Sequence, residues 1–130
     1  MKAATREWVQ CAEADYDVAC HLLRRCKRFS TKAICFHCQQ CVEKYFKARL
    51  IEAGRLFPNT NDLEQLLNLL LPIEPLLAAS QPALGALTAA YGIQFRHPCD
   101  LALKQNARNA LQDCRAIRVE VRLSLGLPKK

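Results

Sequence analysis

Apolar positions recur along this chain at helical spacing. Trp8, Ala12, Asp15/Tyr16, Ala19, Leu22/Leu23 and Cys26 follow one another at intervals of three and four, while Glu13, Asp17, Arg24 and Lys27 lie off that stripe. The pattern predicts a first amphipathic helix. A polar break at Lys27–Ser30 follows, with Ser30 the expected N-cap of a second helix from about Thr31 to about Ala53. Ile34, Cys38, Cys41, Tyr45 and Ala48 make one apolar stripe on it, and Phe36, Val42, Phe46, Leu50 and Ile51 make further sides apolar, so this helix should be central. Gly54 suits the C′ position, and Pro58 prevents resumption. Asn61, with Glu64 three residues on, resembles a capping box before the run Leu63, Leu66, Leu67, Leu70. A segment punctuated by Pro72, Pro75 and Pro82 precedes a fourth helix from about Pro82 to about Tyr91. Gly92 and Pro98 bracket a turn holding Arg96 and His97, and a long last helix runs from about Asp100 to about Leu125. Its core stripe is Leu103, Ala107, Ala110, Cys114, Ile117 and Val121, and Gly126 and Pro128 end it.

Nothing reads as a pair of strands, so the expected fold is all-α, a four- to five-helix up-and-down bundle. One domain over residues 1–126 with a solvated basic tail at 127–130 fits the 130-residue length. With 51% apolar and 24% charged residues the composition is that of an ordinary globular chain. No apolar run approaches the ~18 residues of a membrane span, and the N-terminus lacks the apolar core of a signal peptide, so no membrane role and a cytoplasmic location are expected. In that setting the eight cysteines are expected as free thiols packing in helices. Cys35, Cys38 and Cys41, with His37 and His21 nearby in sequence, invite a zinc reading. Spaced by three on a helix, however, they fan through about 120°, and a second ligand cluster is lacking. No metal and no other cofactor are expected. The pairs Cys99/His97 and Cys41/His37 are the nominal thiol–imidazole candidates, but no oxyanion site accompanies them.

Charge narrows the picture. The chain carries a formal +7, with −3 over residues 59–95 and +5 over residues 96–130. On the last helix Lys104, Arg108, Arg115, Arg118 and Arg122 share one side. Such a row is either a nucleic-acid or nucleotide footprint or an exterior paired with an acidic neighbour, and no aromatic residue interleaves with it. On the second helix His37, Gln40, Lys44 and Lys47 occupy one face about 80° wide. Two ammonium groups, an amide and an imidazole there could hold phosphate oxygens and a base edge; the plainer reading is a solvated face. Asp15 falls in the middle of an apolar stripe, where a carboxylate needs a cation. Arg96, His97 and Lys44 are the candidates, with Asp15–Arg96 the favoured pair.

Several blocks then occur in order: Trp8-x3-Ala12-x2-Asp15; Phe36-His37-Cys38-Gln39-Gln40-Cys41-Val42-Glu43-Lys44-x2-Lys47-Ala48; Pro58-x-Thr60-Asn61-Asp62-Leu63; and Arg96-His97-Pro98. Together they resemble the HEPN family (higher eukaryotes and prokaryotes nucleotide-binding domain). The resemblance implies a helical bundle, a homodimer and, for stand-alone prokaryotic members, a minimal nucleotidyltransferase partner in toxin–antitoxin-like gene pairs. Some relatives bind nucleotides or help to bind substrate; others are metal-independent RNases with an Arg-x4–6-His motif across a dimer cleft. None of His21, His37 and His97 has an Arg at that spacing before it, so that motif is missing from this sequence. The expectation is therefore a non-catalytic nucleotide- or substrate-binding protein, with no catalytic residues. Arg96 would be the main phosphate contact, surrounded by Lys44, Lys47, Gln40, His37 and His97, and Asp15 would hold the Arg in place. The alternative is a divergent RNase toxin using Arg96 and His97. Cys38 and Cys41 fall where relatives mostly show Ala, which supports the packing reading of those thiols.

Overall fold

The computed structural model of the chain describes the backbone of residues 1–25, 30–96 and 104–130, and the side chains of 1–25, 31–89 and 105–130. It is all-α: α1 (Ala3–Arg25), α2 (Ser30–Glu52), α3 (Leu63–Leu70), a 3-10 helix (Pro75–Ser80), α4 (Gln81–Arg96) and α5 (Lys104–Ser124), with no strand among the described residues.

Apolar residues on several sides make α2 the hub. It packs against α1, α3, α4 and α5, and Ile34, Cys35, Cys38, Cys41, Val42, Tyr45, Phe46, Ala48 and Leu50 are all buried. The small Ala12 and Ala19 of α1, fully enclosed, let α1 lie close against it. Leu63, Leu66, Leu67 and Leu70 of α3 close one end of the core, and Ala107, Ala110, Cys114, Ile117 and Val121 of α5 supply another wall. Truncating a fully enclosed leucine such as Leu66 removes about 2–5 kcal/mol in sites of this kind.

Helix ends follow the backbone chemistry of the sequence. Gly54 (φ 71°) and Gly126 (φ 75°) both take the left-handed conformation. Each completes a Schellman cap. At the end of α2, Gly54 N–H donates to Ile51 O at 2.9 Å and Arg55 N–H to Leu50 O at 2.9 Å. After α5, Gly126 N–H donates to Leu123 O at 3.0 Å and Leu127 N–H to Arg122 O at 2.8 Å. The cap of α3 differs from the expectation of Asn61. Asp62 is the N-cap, its carboxylate accepting from Glu64 N–H at 3.1 Å and Gln65 N–H at 3.3 Å. An Asx carboxylate reaches the second and third amides only from the residue immediately before the first turn, which is position 62 here.

Two further elements depart from expectation. The proline-punctuated stretch folds its middle part into the 3-10 helix, with Pro75 at its first turn where a missing N–H costs nothing. Helix α4 continues past Tyr91 to Arg96, because Gly92 lowers helix propensity without removing an amide. Polar ties then fix the ends of the bundle. Lys2 N–H and Thr5 Oγ1–H donate to Glu52 Oε1 at 3.0 and 2.9 Å, joining the start of α1 to the end of α2. Arg49 Nε–H donates to Ser124 Oγ at 2.6 Å, joining α2 to α5.

Candidate functional site

The exposed ridge expected on α2 divides in two. One column, His37 and Lys44, turns to α1 and holds Asp15. His37 Nδ1 lies 2.8 Å from Asp15 Oδ1, and Lys44 Nζ lies 2.5 Å from Asp15 Oδ2. Asp15 is 8% exposed, so this pair of contacts supplies the compensation that a carboxylate in an apolar stripe requires. Lys44 was among the expected partners; His37 was not. The phenyl ring of Phe36 meets the imidazole edge-on at 5.2 Å between centroids.

The second column, Gln40, Glu43 and Lys47, faces the loop before α3. These three residues, with Asn59, Thr60 and Asn61, line a polar groove of about 440 Å³. Lys47 is only 6% exposed and Glu43 only 8%. Their charged atoms stand 3.5 Å apart, one helical turn separating the residues. The Lys47 ammonium sits 5.6 Å from the centre of the Trp8 ring and 5.9 Å from that of Phe57. The two ring faces attract the cation and fix its position without using its N–H donors. Glu43 carried no weight in the sequence reading. Its spacing of four from Lys47 was the signal, and its near-complete burial gives that signal meaning.

Arg96 ends α4, and its side chain lies outside the described residues, as does all of His97. The expected Asp15–Arg96 pair therefore lies outside them too. So do Cys26 and Cys99, and the side chain of Lys104.

The arginine row of α5 is largely spent within the molecule. Arg118 makes a bidentate pair with Glu13 of α1, Nε–H to Oε2 and Nη2–H to Oε1, both at 2.6 Å. The same guanidinium lies 4.4 Å from the centre of the Tyr16 ring. Arg122 Nη1–H donates to Tyr45 Oη at 3.0 Å and stands 3.7 Å from Glu13 Oε1. Tyr45 O–H in turn donates to Glu13 Oε2 at 2.5 Å. Burial alone would raise the Glu13 pKa, but the hydrogen bonds from Arg118 and Tyr45 and the charges of Arg118 and Arg122 outweigh it and hold the group below its ordinary value. Burial, then the bond to Glu13, push the Tyr45 phenol well above its ordinary value. The tail joins this network through its backbone. Arg118 donates to Lys129 O at 2.9 Å, and Arg122 to Pro128 O at 2.5 Å and Lys130 O at 2.9 Å. The tail expected to be solvated is held more closely than that: Pro128, Lys129 and Lys130 have exposed side chains, but their carbonyls are held by α5, and Leu127 is half-buried against the core. An aromatic ring also joins the row, because Tyr16 crosses from α1, where linear spacing along α5 cannot show it. Arg115 Nε–H donates to Tyr16 Oη at 2.7 Å. Arg108 is exposed and donates within its own helix, to Gln105 Oε1 at 3.4 Å.

Among the described residues the cysteines are free: Cys35, Cys38, Cys41 and Cys114 are buried, Cys20 partly so, and Cys11 exposed. Contact with Cys114, then burial, push the Cys38 and Cys41 thiols far above their ordinary value, so they pack as neutral groups. Among the described residues no cluster of three or more His, Cys, Asp or Glu could hold a metal ion, and no helix is long and apolar enough to cross a membrane.

Neither the curated proteins nor the solved structures include one that matches the chain. The sequence profile of the HEPN domain matches residues 5–123. That span runs from the first turn of α1 to the last turn of α5 and takes in both columns of α2, the groove and Arg96. The chain belongs to the HEPN domain family, whose helical members include nucleotide-binding and RNase-like domains.

Proposed function

We propose that this protein is a non-catalytic nucleotide-binding module that uses the α2 face. It would act as a homodimer together with a minimal nucleotidyltransferase. The observation that carries the reading is the groove beside α2. Its volume of about 440 Å³ falls in the range of small-ligand sites, and its lining offers two Asn amides, a Gln amide, a Thr hydroxyl and a fixed ammonium group. Those groups suit a base edge and ribose hydroxyls. The bulk of the phosphate attraction falls to Arg96, since Lys44 and Lys47 each face a carboxylate within the fold. Arg96 lies at the end of α4, which packs against α2.

Titration calorimetry with nucleoside monophosphates tests this. Binding is expected to weaken about tenfold in Arg96→Ala, from loss of one charge-assisted contact, and to weaken further as salt rises through the range where the Debye length falls below about 10 Å. Affinity unchanged by both treatments would overturn the reading. The same preparation incubated with RNA in chelator is expected to leave it intact. Cleavage that disappears in His97→Ala would replace the binding reading with the RNase one.

A further inference from the structure

Glu43 and Lys47 are both more than nine-tenths buried, yet among the described residues neither is joined by a hydrogen bond to the rest of the protein. Each has only the other, at 3.5 Å, and Lys47 has the flanking Trp8 and Phe57 rings. Buried charges are normally supplied with hydrogen bonds, because a loose ion pair alone does not offset the loss of water. Both residues line the groove together with Gln40, Asn59, Thr60 and Asn61. Their unused lone pairs and N–H groups face that groove, where solvent, or a ligand that displaces it, can meet them.

We infer that the Glu43–Lys47 pair is a base-reading element selective for guanine. The inference rests on the nucleotide-binding reading and assigns the base to the same site. A carboxylate beside an ammonium group offers an acceptor edge next to a donor. Guanine presents the complement: N1–H and an N2 amine side by side, next to the O6 acceptor. Both guanine donors can meet the two oxygens of Glu43, while Lys47 donates to O6. Adenine presents an unprotonated N1 where the carboxylate needs a donor, so one of its lone pairs would face another across the contact. Uracil offers a single N–H between two carbonyls, and cytosine a single amine, so each leaves Glu43 half satisfied. The amides of Asn59, Asn61 and Gln40 accept or donate equally well and add affinity without choosing among bases. Trp8 and Phe57 hold the Lys47 ammonium from behind, so selection does not depend on ordering a flexible side chain at the moment of binding.

The test is calorimetry of the full chain with guanosine, inosine and adenosine 5′-monophosphates, which share one phosphate and one ribose. A matched bidentate edge discriminates by about tenfold or more. GMP is expected to bind at least about tenfold more tightly than AMP, with IMP, which lacks only the N2 amine, in between. Glu43→Gln should bring GMP to the level of AMP, since an amide offers one acceptor where the carboxylate offers two; a thermal melt of the variant checks its fold. If the variant does not fold, the three ligands on the unaltered protein still decide. Equal affinity for all three, or tighter binding of AMP, would overturn guanine selection while leaving nucleotide binding in place. Failure of all three to bind would overturn both.

Discussion

Among the described residues, Glu13 of α1 is the carboxylate on which α2 and α5 both converge. It accepts two hydrogen bonds from Arg118 and one from Tyr45, and it faces Arg122. Glu13→Gln keeps the shape but removes the charge that two largely buried guanidinium groups face. Because Glu13 is itself partly exposed, the expected loss is about 2 kcal/mol rather than the larger figure for a fully buried pair. The pH dependence follows from the lowered pKa. A carboxylate whose folded pKa lies below its unfolded value stabilises fully above the unfolded value, and that stability is lost as pH falls through the folded one. Denaturant melts of the two proteins should therefore differ most above about pH 5 and converge as pH falls below the ordinary Glu range near about 4.3. A gap that stays constant down to strong acid would contradict this role. None of this was visible in the linear pattern. Glu13 was marked only as lying off the apolar stripe of its helix, and its partners Tyr45 and Arg118 are 32 and 105 residues away. The need of Asp15 for a cation was legible, because a carboxylate in an apolar stripe requires one. Its choice of Lys44 and His37 depends on how α1 and α2 are rotated against each other, which periodicity does not give.

The ends of helices were easier to read than their faces. Glycine after an apolar run marked both Schellman caps, since position C′ needs a left-handed residue whatever surrounds it. The start of α3 was misplaced by one residue because Asn61 and Asp62 can both cap, and only the backbone decides which precedes the first turn. The two make a clean comparison. Asp62→Ala should cost about 1 kcal/mol, while Asn61→Ala, which removes no capping bond, should leave the melting temperature nearly unchanged. The reverse order would restore Asn61 as the cap. On α2 the expected single ridge became two columns. Residues seven apart stack nearly in line, so His37 stands with Lys44 and Gln40 with Lys47, the two columns about 60° apart. That angle is enough for one column to meet α1 and the other the loop at Asn59–Asn61. The four residue types were legible; the presence of two different neighbours, helix α1 and the loop before α3, each claiming one column, was not.

For the molecule as a whole, the all-helical class followed from apolar spacing at intervals of three and four with nothing that reads as a pair of strands, and the family match spans nearly all of it. The basic row of the last helix reads from sequence as either a nucleotide footprint or an exterior paired with an acidic neighbour, and folding turns Arg118 and Arg122 inward onto α1 and the tail. Net charge is thus a poor guide to which cations remain free for a partner. The buried thiols have a use of their own. Cys38, Cys41 and Cys114 come from two helices that must separate before any reagent reaches them, whereas Cys11 is already at the surface. Alkylation followed by intact mass should accordingly modify Cys11 at once, and modify Cys38, Cys41 and Cys114 slowly and together. Rapid labelling of any of those three in the folded protein would contradict a closed core. Where the pattern holds, the sulfur atoms act as a clock for bundle opening, and a bound nucleotide that steadies α2 would slow that clock.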